Sequence, residues 1–118
     1  MRKIYRRKTD KKIDNNIRKT LTNACEIALE QVDGFKWLTH FVNYDNFPES
    51  LAVLCVFDTK ADLAKARVTK HDDFLISLIV ESLLSEGIKL KDARRAVTFD
   101  TEEACAHEHG ENWAKRLS

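Results

Sequence analysis

Residues that break or fasten a fold are scarce in this chain: 118 positions hold three glycines, one proline and three cysteines. So few breakers exclude a Gly/Pro-rich disordered or collagen-like chain and predict long regular elements. Cys25, Cys55 and Cys105 are odd in number and far apart, which excludes a disulfide framework and predicts reduced thiols in a cytoplasmic protein. Long hydrophobic runs are missing too. Leu51 to Phe57 and Phe74 to Val80 are the longest, far short of the roughly 20 residues that span a bilayer, and the first residues lack the apolar segment of a signal peptide. No membrane partner is expected. Nor is there a Gly-rich phosphate loop, a Walker lysine, a nucleophile elbow or an H-E-x-x-H, so a non-enzymatic protein without a cofactor is expected.

What the chain does have is segregated charge. Its net charge of +1 combines residues 1–20, with nine Lys/Arg against two Asp (net +7), and the remainder, with eleven against seventeen (net −6). A basic arm on an acidic body concerns a partner more than a fold. With 43% hydrophobic residues and no internal repeat, the rest reads as one packed domain, 13–118, behind an arm of residues 1–12.

Ile13, Ile17, Leu21, Cys25, Ala28, Leu29 and Val32 recur at steps of three and four, predicting a long amphipathic helix closed by Gly34. Phe35 to Tyr44 and Leu51 to Phe57 read as an antiparallel hairpin across a turn-like segment containing Pro48. The second strand is apolar on both faces and should lie centrally. Helices are expected over 59–67 and 71–86, a strand over 96–99, and a single C-terminal helix over 100–117 opened by a capping box of Asp100 and Glu103. The fold class is α+β, a three-stranded sheet packed with helices in the order α-β-β-α-α-β-α.

Three groups of residues invite chemistry. Phe57-Asp58-Thr59 and Phe99-Asp100-Thr101 each end a strand and open a helix. If those strands are parallel, Asp58 and Asp100 share one end of the sheet and could hold a divalent cation for a metal-dependent enzyme; both junctions equally require a helix cap. Cys105 and His109 share a helix face, but only two ligands do not make a zinc site. Their stripe continues to Trp113 and Leu117, which reads as docking on the core. His40, flanked by Thr39 and Phe41 in a strand, has the chemistry of a general base.

Closely spaced lysines and arginines offer a fourth reading, because they neutralise phosphates and release counterions. Arg6, Arg7, Lys8, Lys11 and Lys12 of the arm, joined by Lys89, Lys91, Arg94 and Arg95, are the candidate nucleic-acid-binding residues, and Tyr5 could stack on a base. Removing the five arm residues is expected to abolish binding while leaving the fold intact. Trp37, Tyr44 and Phe47, taken as exposed, suggest instead a protein-interaction module that pairs with itself through its long first helix or a sheet edge.

The blocks Arg7-Lys8-Thr9-Asp10-Lys11-Lys12, Trp37 to Tyr44 (WLTHFVNY), Val56-Phe57-Asp58-Thr59 and Glu102 to Trp113 (EEACAHEHGENW) resemble a short bacterial protein family of unknown function whose members are often labelled Fis-family transcriptional regulators. The label implies a DNA-binding dimer with a C-terminal helix-turn-helix. Residues 100–118 depart from that pattern, reading as one acidic helix. Up to the third strand the element order is also similar to the type II KH domains, ribosome-binding factor A among them, although the linker Arg67-Val68-Thr69-Lys70 lacks the Gly-x-x-Gly that clamps a nucleic-acid backbone. The resemblance implies DNA or RNA as a partner.

Overall fold

The computed structural model describes residues 7–118. Candidate residue Arg6 and stacking residue Tyr5 lie outside these described residues.

Helix α1 runs from Lys8 to Gln31, and its buried positions are Asp10, Asp14, Ile17, Leu21, Ala24 and Ala28. That three-and-four spacing turns one stripe to the core and leaves the opposite face to solvent. Arg7 caps the helix: its backbone N–H donates to Asp10 Oδ2 at 3.2 Å and its guanidinium closes back on the same carboxylate. At the other end Gly34 makes the turn into the sheet with φ of 82°, and a Cβ there would stand 2.5 Å from Asp62 Cβ. Gly34→Ala therefore meets both a left-handed backbone and a filled space, and is expected to cost about 2–4 kcal/mol in urea unfolding. A loss below about 1 kcal/mol would mean that the turn relaxes.

Strands β1 (Phe35–Phe41) and β2 (Ala52–Phe57) pair antiparallel, with Leu38 opposite Cys55 and His40 opposite Val53. The connection between them includes a short 3-10 turn, Tyr44–Asn46. Helices α2 (Lys60–Val68) and α3 (His71–Leu84) then lead through a one-turn helix α4 (Ala93–Ala96) into β3 (Val97–Thr101). β3 lies parallel to β2, with Val56 opposite Asp100 and Phe57 opposite Thr101. The sheet order is β1-β2-β3, so the expected element order and the central place of the second strand both hold.

β2 is buried on both faces, as its continuous apolar run requires. Val53, Cys55 and Phe57 join Ile17 and Leu21 of α1 and Leu75, Ile79 and Leu83 of α3 in the main core. Leu54 and Val56 point the other way, toward the side where Trp37, paired with Val56, meets the C-terminal helices.

Those C-terminal helices correct one expectation. The single helix over 100–117 is two: α5 (Glu102–His109) and α6 (Trp113–Arg116). Gly110 and Glu111 both have positive φ, 56° and 69°, and Asn112 caps a new helix by accepting from the Lys115 N–H. Trp113 still docks, but on Trp37, edge to face with ring centroids 4.9 Å apart. Glu102 accepts from both indole N–H groups, so each ring buries its body without stranding its donor.

Candidate functional site

At the end of the sheet where β1 stops, α1 presents the carboxylate of Asp14, wholly buried, to two donors. His40 Nε2 lies 2.7 Å from Asp14 Oδ1, and the Tyr44 hydroxyl donates to the same oxygen at 2.9 Å. Both groups thus converge on a single carboxylate oxygen. All three residues are nearly inaccessible, at 0%, 3% and 4% exposure. Asp10, one turn earlier on the same stripe, is buried beneath Arg7. Asp14 and His40 have the chemistry of an orienting acid and a base. What the cluster does is tie α1, β1 and the β1–β2 connection together.

In the sequence Asp10 and Asp14 stand out only as charges offsetting a basic arm. The signal for their burial was present: counting back from Ala28, Ala24, Leu21 and Ile17 by threes and fours arrives at Asp14 and Asp10. Tyr44 and Phe47, expected on the surface, are correspondingly inside, Tyr44 against Asp14 and Phe47 half-buried against the Tyr44 ring at 5.4 Å. Trp37 is half-buried beneath Trp113. No exposed aromatic patch is built from these three.

The basic residues lie around the same end. Lys8, Lys11 and Lys12 sit on the exposed side of the first turns of α1, followed along that helix by Arg18 and Lys19, also exposed. The segment after α3 brings Lys91 and Arg95 against Glu49, Ser50 and Ala52 across an open groove of about 390 Å³. The β1–β2 connection thus meets Asp14 of α1 through Tyr44, and shares its other groove, at Glu49 and Ser50, with Lys91, Asp92 and Arg95. Lys89 is exposed on the same segment. Lys8, Lys11, Lys12, Lys89, Lys91 and Arg95 make no ion pair among the described residues. The other two differ: Arg7 is engaged as the helix cap, and Arg94 reaches Asp73 at 2.9 Å.

β2 and β3 are parallel, so Asp58 and Asp100 do lie at the same end of the sheet. Their roles are separate. Arg116 grips Asp100 with two nitrogens, at 2.7 and 3.0 Å, and adds Glu108 and His109 to the same guanidinium. These carboxylates raise the affinity of Arg116 for its proton, the Asp100 hydrogen bond most of all. The capping box expected of Asp100 and Glu103 does not form. Thr59 and Thr101 are the caps, each accepting a backbone N–H at 3.0 Å, while Glu103 reaches across to the Lys60 N–H at 2.7 Å and joins the starts of α2 and α5. Among the described residues no three His, Cys, Asp or Glu gather as a metal site.

Cys55 and Cys105 are fully buried and Cys25 partly so. Burial pushes the Cys55 thiol up to about 12 and raises the other two, which suits packing and not nucleophilic work. Cys25 lines a second open groove, about 430 Å³, running between α1 and β1 with Arg18, Thr22, Glu26, Leu38 and Thr39. No helix among the described residues is long and apolar enough to cross a membrane. No protein-family model, curated protein or solved structure matches the chain.

Proposed function

We propose that the protein associates with nucleic acid in a regulatory, non-enzymatic role, contacting phosphates through Lys8, Lys11 and Lys12 on one side and Lys89, Lys91 and Arg95 on the other. The observation that carries this reading is their freedom: six cations in two clusters remote in sequence are exposed and unengaged by carboxylates among the described residues. Closely spaced cations held on a rigid helix repel one another, and a polyanion relieves that repulsion while releasing its own counterions. The resemblance to proteins labelled as transcriptional regulators points in the same direction. Arg7 and Arg94, engaged within the fold, contribute less than the six others.

Fluorescence anisotropy of the full chain with a short DNA duplex and with a structured RNA, at two salt concentrations, tests the proposal. Six phosphate contacts give an affinity that falls about 1,800-fold for a fourfold rise in salt. Absence of binding to both probes at low salt overturns it.

A further inference from the structure

The groove beside α1 is not absorbed by the phosphate-binding reading. Its helical wall carries Arg18, Thr22, Glu26 and Leu29 in successive turns, and its other wall is β1, an edge strand whose outer side pairs with no strand among the described residues. Arg18 and Glu26 are exposed and make no ion pair among the described residues. Thr22, midway between them, turns its hydroxyl onto the Arg18 carbonyl at 2.7 Å, so its polar group is satisfied within the helix. Leu29, which lines the groove, is 51% exposed, so this wall ends in a large exposed hydrophobic.

We infer that this surface binds a second copy of the chain, with the two α1 helices antiparallel across a two-fold axis at Thr22. In such an interface residue i meets j and j meets i. An axis at position 22 sets Arg18 against Glu26 of the second copy and Glu26 against Arg18 of the second copy, each about 6 Å from the axis along the helix. Both unengaged charges are neutralised by one operation. Thr22 meets its own counterpart, where a short side chain lets the helices approach. A parallel arrangement would instead oppose arginine to arginine and glutamate to glutamate, so charge alone selects the antiparallel pair. The free edge of β1 lies beside this seam and is shielded by it, which removes an exposed strand edge.

The test measures mass by sedimentation and light scattering of the full chain over a wide concentration range. The wild type is expected to dimerise. Arg18→Glu and Glu26→Arg each create two like-charge contacts and should weaken the dimer about a hundredfold or more. Mixing the two single variants restores both opposite-charge contacts, so a mixed dimer is expected, and R18E/E26R in one chain should recover the homodimer. Both positions are exposed, so circular dichroism should show unchanged helix content. A wild type that stays monomeric at every concentration overturns the inference, as does a dimer indifferent to the single swaps or a mixture that fails to associate. None of these outcomes depends on nucleic-acid binding.

Discussion

Asp14→Ala is expected to destabilise the protein by about 3–5 kcal/mol, because it removes the common acceptor of two buried donors. The imidazole of His40 and the phenol of Tyr44 would each lose this buried acceptor, with an empty space where the carboxylate stood. Tyr44→Phe, which deletes one donor and leaves the carboxylate bonded to His40, should cost only about 1 kcal/mol. Urea unfolding of the two variants beside the wild type measures the difference. If Asp14→Ala lost no more than Tyr44→Phe, the buried carboxylate would not be what joins α1 to the sheet. Arg7→Ala should be milder than Asp14→Ala, since its guanidinium is 63% exposed and its pairing with Asp10 is screened by water.

Replacing Lys8, Lys11 and Lys12 together by alanine should lower nucleic-acid affinity about 500-fold near 0.1 M salt, each lost phosphate contact contributing about eightfold there. The slope of log affinity against log salt should flatten by about 2.7. Anisotropy titrations at several salt concentrations give both quantities, and an unchanged slope would remove these lysines from the interface. Point substitution is the informative form of the experiment. Deleting residues 1–12 would also remove buried Asp10 and the first turn of α1, confusing lost charge with lost structure. Two copies related at Thr22 set their lysine patches about 35 Å apart by helix rise, close to one turn of duplex DNA. A duplex of that length should therefore show a steeper salt dependence than one of half the length.

How much of this was readable beforehand varies with the kind of signal. The LAVLCVF run named its own position, since a strand apolar on both sides must be covered on both, and the three-and-four spacing of Ile17, Leu21 and Ala28 fixed the inner face of α1. The break in the last helix was hidden because the stripe Cys105, His109, Trp113, Leu117 keeps its numerical spacing across Gly110, where the backbone does not keep its hand. Aromatic exposure was misjudged because a lone sequence cannot show that Glu102 waits for two indoles, or Asp14 for a phenol. Polar partners 11 to 65 residues apart leave no periodic trace.

The parallel pairing of β2 with β3 carries a cost in time. β1 finds β2 across a short connection, but β3 begins only after two helices and the basic segment have been laid down. At ribosomal rates of about 5–20 residues per second, the most apolar strand of the chain waits seconds for its second neighbour. Throughout that interval one of its edges stands open, so the nascent chain is most vulnerable to misassociation at β2 and depends on whatever shelters it until Thr101 has emerged.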